Sequence, residues 1–356
     1  MHIRENALKD WLTTLFPDTA FTVSSLTGDA SFRRYYRLHT ANTTQIIMDT
    51  PPDKIALEPF IQIGQFLRNK GFTTPIVHAI DYTHGFVLLS DFGDDLFLQV
   101  ISSHDADALY KSALKILAQM QLCSTEELNL ATFDKPFMLN ELSLFQDWFL
   151  ERYLGLTLEP NEKQILHDTY DWLTDMISNQ PKVFVHRDYH SRNIMLVPRS
   201  PPLIGSFSTE SMDRANKSRE AGTEQLPLNL GIIDFQDAML GPFTYDVVSL
   251  LKDCYIQWPS KQVTLWLTYF YEQLAVSTYS LTDFKQAFDL CGLQRHIRVL
   301  GTFCRLFLRD NKPNYLQDLP LTFHYMMTCL ERYDELQLFH ALILNRVQPT
   351  FLSKIE

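Results

Sequence analysis

Residues 183–197 read V-F-V-H-R-D-Y-H-S-R-N-I-M-L-V, and residues 230–246 read L-G-I-I-D-F-Q-D-A-M-L-G-P-F-T-Y-D. In the first segment two short β-branched or aromatic runs flank a polar loop, and in the second a similar run leads straight into Asp234. Three strand-like pieces therefore converge on one polar cluster, which brings Asp188, Asn193 and Asp234 to a shared site.

Phosphoryl transfer needs such a set. An Asp accepts or orients the proton of the attacking hydroxyl, while an Asn five residues on and an Asp on the next strand offer hard oxygen ligands to Mg²⁺ on nucleotide phosphates. The spacing H-x-D-x-x-x-x-N followed by I-D-F is that of the catalytic and metal loops of the kinase fold. The plainer reading is that Asp188 and Asn193 cap a turn and Asp234 ends a strand.

At 356 residues the chain can fill two lobes. A net charge of −11 with no long basic run argues against nucleic acid or an anionic membrane as partner, and a small-molecule substrate fits better. The first residues lack an apolar signal core, and no apolar run is long enough to span a bilayer, so a cytoplasmic protein is expected. Its five cysteines form no C-x-x-C pair and read as reduced core residues.

Leu8, Trp11, Leu12 and Leu15 keep helical spacing up to Pro17. Phe21 to Leu26, a turn at 28–31 and Arg34 to Leu38 read as a hairpin where a kinase places its phosphate-covering loop. One glycine makes the motif weak, yet Ser31 and the Arg33-Arg34 pair are suited to phosphate oxygens; solvated surface arginines are the alternative. On the third strand Ile46-Ile47-Met48-Asp49 matches V-A-I-K with Asp where the lysine should be. Either Arg33, Arg34, Arg37 or Lys54 supplies the charge, or the chain does not turn over. Glu58 opens the next helix and is better explained as a first-turn acid than as the lysine's partner.

After the strand Gly85 to Leu89 comes Ser90-Asp91-Phe92-Gly93. A metal-binding D-F-G follows the catalytic loop, whereas this one lies far upstream, so Ser90 and Asp91 are assigned to the nucleotide-binding linker between lobes. From Tyr110 onward apolar stripes at helical spacing dominate. Residues 198–229 are polar and Ser/Pro-rich and read as a flexible insertion. Pro242 and Thr244 mark a helix whose buried stripe runs from Val247 to Trp258, with Asp246 either serving the helix dipole or holding the catalytic loop from below.

With these residues in hand the chain resembles the aminoglycoside phosphotransferase and choline kinase superfamily of small-molecule kinases. His190, two residues after Asp188, stands where protein kinases carry Lys. The resemblance implies an α+β, two-lobed protein-kinase-like fold: a small β-rich nucleotide lobe over 1–90 and a large, mostly helical catalytic and substrate lobe over 91–356. Within the superfamily, G-D-A-S-F-R-R-Y-Y-R at 28–37, M-D-T-P-P at 48–52, H-R-D-Y-H-S-R-N and D-F-Q-D-A-M-L-G-P-F-T-Y-D-V-V-S-L-L-K-D look like bacterial kinases of the anomeric hydroxyl of N-acetylmuramate and N-acetylglucosamine in cell-wall recycling. That group shares M-D-x-P-P, so by this likeness the missing lysine is a family trait.

The reaction implied uses ATP and Mg²⁺ on a small amino sugar, in a protein expected to be monomeric. Asp188 would act on the acceptor hydroxyl, Asn193 and Asp234 on the metal, and Ser31, Arg33, Ser90 and Asp91 on the nucleotide. Arg192, Gln236 and Asp237 would meet the sugar, with His186 and Asp246 as supports; for Gln236 and Asp237 helix-start capping is the alternative, and for Arg192 a salt bridge. Rival expectations are a kinase for an aminoglycoside, homoserine or choline, and a nucleotide-binding protein without turnover.

Overall fold

The computed structural model describes residues 2–26, 32–198, 228–274 and 279–355. Helix α1 (His2–Leu15) precedes strands β1 (Thr22–Leu26), β2 (Arg34–His39) and β3 (Thr44–Asp49); then come α2 (Glu58–Asn69), β4 (Val77–Asp81) and β5 (Phe86–Ser90). The five strands form one antiparallel sheet in the order β1-β2-β3-β5-β4. The β1–β2 turn, with Ser31, and nearly all of the expected insertion at 198–229 lie outside the described residues.

Strand side chains alternate between faces. Leu38, Ile47, Phe86 and Leu88 pack on Leu8 and Leu12 of α1. Met48, Val87 and Leu89 pack the other way, in one core with Phe60, Ile63, Phe66 and Leu67 of α2. This parity corrects the reading of the third strand. Asp49 pairs in register with Arg34 and, by that alternation, belongs with Ile47 to the α1 face, while Ile46 and Met48 face the opposite side. Asp49 is 1% exposed, with Arg34 Nη2 at 2.7 Å and Arg4 Nε donating at 2.7 Å. It ties α1 to the sheet and does not stand in for a cleft lysine. Arg34 is thereby committed to Asp49, and Lys54 is exposed beside Asp53 at 3.4 Å.

Beyond Ser90 the chain is mostly helical: α3 (Phe97–Val100), α4 (Ala106–Gln121), α5 (Lys135–Leu144) and α6 (Pro160–Ser178). Asp105 and Asp134 accept the first-turn N–H groups of Asp107 and Phe137, and the N-terminus of α6 has a Glu159/Glu162 capping box. Two small antiparallel sheets follow, β6 (Lys182–Val185) with β9 (Met239–Pro242), and β7 (Ile194–Leu196) with β8 (Leu230–Ile232). The remaining helices are α7 (Tyr245–Leu251), α8 (Ser260–Gln273), α9 (Leu281–Leu308), α10 (Leu319–Leu330), α11 (Gln337–Leu342) and α12 (Gln348–Ile355). Among the described residues no helix is long and apolar enough to cross a membrane, and all five cysteines are free thiols.

The 28-residue α9 is the axis of this part. It reaches the end of α5, which continues in π winding over Phe145–Tyr153, because Gly301 has no side chain. A Cβ there would lie 2.3 Å from the carbonyl carbon and oxygen of Leu144. The apolar stripe from Val247 to Trp258 predicts a longer α7, but the helix stops at Leu251. Asp253 takes the N–H of Tyr255 at 3.1 Å and turns the chain, so Cys254 is buried in the core without being helical.

Replacing Asp49 by Ala leaves Arg4 and Arg34 without their carboxylate, at a cost of about 1–3 kcal/mol given the partial exposure of both arginines. Urea unfolding is expected to show that loss, and Asp49→Lys a larger one; a lysine variant as stable as the parent would contradict this account of the strand.

Candidate active site

The loop 186–193 leaves β6 and returns into β7, pinned at both ends by buried carboxylates. Asp246, fully buried on the first turn of α7, accepts the N–H groups of His186 at 2.6 Å and Arg187 at 3.0 Å. Asp253, 1% exposed, accepts the N–H of Ser191 at 2.9 Å and its hydroxyl. Between these anchors Arg187 adopts a φ of 75°, unusual for a non-glycine residue, and its guanidinium is held by Glu141 Oε1 at 2.7 Å. His186 lies between the loops: one ring nitrogen contacts the carbonyl of Ile233 at 3.1 Å and the other accepts from Asp188 N at 3.3 Å. Burial lowers this imidazole to about 4, so at neutral pH it is an uncharged spacer, donating through Nε2.

Asn193 joins the two acids. Its Nδ2 donates to the Asp188 carbonyl at 3.0 Å and faces Asp234 Oδ2 at 3.4 Å. Asp234 itself has a φ of 64° and receives Gln236 Nε2 at 2.7 Å. Asp188, Asn193, Asp234, Arg192, Gln236 and Asp237 all line a single cleft of about 930 Å³. The next residue, Phe235, stacks on Phe60 of α2 with centroids 5.1 Å apart, and Gly64 gives that ring room: a Cβ there would lie 2.9 Å from it. The helix of the sheet thus rests on the loop that carries Asp234.

The two carboxylates differ electrostatically. Burial pushes Asp234 up to about 6, Asp188 adds repulsion, and the Gln236 hydrogen bond and Arg33 oppose the rise. For Asp188 burial also acts upward, but Arg298, His190, Arg187 and Arg295 outweigh it and hold the carboxyl below its ordinary value. One acid stays ionised, and the other is an anion in want of a cation. Gln236 Oε1, buried beside it, has no hydrogen-bond partner among the described residues. A carboxylate raised by burial, an orphaned amide oxygen and the Asn193 amide form a hard-oxygen donor set that suits Mg²⁺ completed by phosphate oxygens. Among the described residues no three His, Cys, Asp or Glu side chains cluster as a self-sufficient metal site.

The other expected residues fall around the same cleft. Arg33 and Arg37 line its sheet side, as do Ser90 and Asp91. Arg37 is taken up by Asp91 at 2.8 Å and Asp94 at 2.8 Å, and the charge of Arg33 bears on Asp234. Ser90 Oγ accepts from Ile76 N at 2.8 Å. Arg192 lies 3.6 Å over the Tyr255 ring and 3.9 Å from Asp318, a long ion pair; Asp237 is exposed at the rim. Glu58 is exposed at the start of α2, consistent with a first-turn acid. Arg295, Arg298 and Asp253 were not singled out from the sequence. Arg295, Arg298, Val299, Thr302, Phe303 and Leu306 form one helical stripe of α9 along the cleft, a pattern masked by the apolar stripe on the same helix.

The model of the phosphotransferase enzyme family matches residues 22–205 and 227–280. An N-acetylmuramate/N-acetylglucosamine kinase from Pseudomonas putida is 34% identical over 92% of this chain and 91% of its own. One from Neisseria meningitidis is 32% identical over 97% and 96%. Among solved structures, the GDP complex of aminoglycoside 2'-phosphotransferase-IIIa superposes with a TM-score of 0.59 at 16% identity, covering 90% of this chain and 98% of that one. A choline kinase from Streptococcus pneumoniae gives 0.55 at 13% identity over 92% and 100%. At such identities the last two speak for the fold alone.

Because Asp234 binds its proton more tightly folded than unfolded, the ligand-free protein loses stability from this group as pH rises from about 4 to about 6, and the cost is complete above that. Asp234→Asn keeps the acceptor for Gln236 and tolerates the positive φ. It is expected to stabilise the ligand-free protein by roughly 1–3 kcal/mol at pH 7 and by less at pH 5, read by urea unfolding at both values. A destabilised variant would contradict the charge imbalance.

Proposed function

The chain belongs to the phosphotransferase enzyme family, and on that premise we propose that it is an ATP-dependent kinase for the anomeric hydroxyl of N-acetylmuramate and N-acetylglucosamine. The acceptor is supported by the relatives of that name, which align along nearly their whole length. The chemistry is supported by one observation above all: Asn193 bridges the Asp188 and Asp234 elements.

ATP lies between the sheet unit, residues 1–90, and the helical unit, residues 91–356. Arg33 takes the phosphate charge that the third strand leaves unmet, and Ser90 and Asp91 border the nucleotide at the linker. Asp234 and Asn193 hold Mg²⁺, which when bound neutralises the charge on the transferring phosphoryl group. The sugar is held on the helical side by Arg192, with Asp237 at the rim; Gln236 is turned to Asp234 and serves the metal side. Asp188 orients the C1 hydroxyl in line with the γ-phosphorus. As the new O–P bond forms and the bond to the β–γ bridging oxygen breaks, the hydroxyl proton passes to the Asp188 carboxylate and ADP leaves. A carboxylate held below its ordinary pKa is a weak base, which suffices for a loose transition state where alignment and charge neutralisation dominate. Asp246 and His186 act only through the loop they support.

Incubation with ATP, Mg²⁺ and separately N-acetylmuramate, N-acetylglucosamine, kanamycin and choline, followed by phosphorus NMR, tests the assignment. The expected product is a non-reducing sugar 1-phosphate from the amino sugars. Asp188→Asn is expected to lower kcat by about 10²–10⁴ with the KM for ATP within a few-fold. Phosphorylation of kanamycin or choline alone, or nucleotide binding without turnover of any acceptor, would refute it.

A further inference from the structure

We infer that Arg295 is the anchor for a carboxylate on the acceptor, so that this residue reads the lactyl group by which N-acetylmuramate differs from N-acetylglucosamine. The inference deepens the acceptor assignment above and rests on it.

The observation is an imbalance in ion pairing beneath the cleft. Arg187 and Arg298 share Glu141 at 2.7 and 3.1 Å, and Lys252 and Arg332 share Asp289 at 2.8 and 2.7 Å. Arg192 stacks on Tyr255 within reach of Asp318. Arg295 is different. It is 3% exposed, and among the described residues its Nε has no hydrogen-bond partner and its guanidinium makes a single hydrogen bond, from Nη1 to Cys254 Sγ at 3.6 Å. The two acids whose charge bears on it, Asp188 and Asp253, are otherwise engaged. Asp253 is spent on the N–H groups of Ser191 and Tyr255, and Asp188 is the proposed hydroxyl acceptor.

A guanidinium removed from water is costly unless an anion and its hydrogen bonds replace the lost hydration. Among the described residues no carboxylate forms an ion pair with Arg295, and the residue lines the cleft. Its side of the cleft is also defined: Arg33 bears on Asp234, whereas Arg298, Arg187 and Arg295 bear on Asp188. Arg295 therefore belongs to the half of the cleft where the acceptor lies and not to the phosphate half. A carboxylate meets a planar guanidinium through two parallel N–H···O bonds, which gives direction as well as charge. N-acetylmuramate brings that carboxylate, while N-acetylglucosamine leaves a hydroxyl and water in its place.

The test measures kcat/KM for both sugars with the full-length protein and its Arg295→Gln and Arg295→Lys variants. The expected result is that Arg295→Gln lowers kcat/KM about 10- to 100-fold more for N-acetylmuramate than for N-acetylglucosamine, through KM, while any loss that comes from its charge on Asp188 appears as a kcat effect shared by both sugars. Arg295→Lys recovers part of the loss. Retained N-acetylglucosamine turnover also shows that the variant folds. A second measurement needs no variant: with the parent enzyme, the methyl ester of the N-acetylmuramate carboxyl should raise KM by a similar factor. An unchanged ratio between the sugars in Arg295→Gln, an equal fall on both sugars, or an ester that binds as well as the acid overturns the inference alone. Failure of the parent enzyme to phosphorylate either sugar overturns the acceptor assignment, and the inference with it.

Discussion

Two buried carboxylates, Asp246 and Asp253, grip the loop between β6 and β7 at its two ends. Each receives main-chain N–H groups that no strand or helix satisfies, and a buried N–H without an acceptor is costly. This grip lets Arg187 keep its left-handed conformation and fixes where Asp188 and Asn193 emerge. The local strain, of order 1–3 kcal/mol, is offset by the Arg187–Glu141 pair and by the burial of Tyr189 beneath the loop. Residues distant in number thereby act as one rigid frame.

Charge is apportioned along the cleft in the same way. Asp188 is surrounded by arginines and Asp234 by buried surface and another acid, so a cation is favoured at the second position and a hydroxyl at the first. Phe235 lies on α2, which couples the position of Asp234 to the sheet above it. The long α9 supplies the floor, and its approach to α5 depends on Gly301. Sheet, loop and helix meet at side chains that no single element could position.

Much of this was legible in the sequence because it is local. The step from Asp188 to Asn193 and the apolar run into Asp234 are spacings within one turn or one strand, and the hairpins of the sheet announce themselves by alternation. Where long-range pairing decides, the sequence was mute or misleading. Met239–Pro242, with its Gly and Pro, reads as the approach to a helix and becomes a strand only because β6 is there to receive it. Asp49 occupies the position of a kinase lysine in sequence, but the two-residue period of the strand groups it with Ile47, on the α1 face. Arg295 and Arg298 are spaced like any exposed face of a helix, and only tertiary burial gives them meaning. Asp253, just past the end of α7, takes the N–H and the hydroxyl of Ser191, a partnership across 62 residues that no pattern announces.

Two neighbouring acids, Asp188 and Asp234, carry separate tasks in this cleft. A crystal structure of the protein with Mg²⁺, a non-hydrolysable ATP analogue and the acceptor sugar examines this most directly. It should show metal–oxygen distances of about 2.0–2.1 Å to Asp234 and Asn193, with Asp188 off the metal and within hydrogen-bond reach of the sugar's C1 hydroxyl. Coordination of the metal by Asp91, or by Asp188 in place of Asp234, would contradict it.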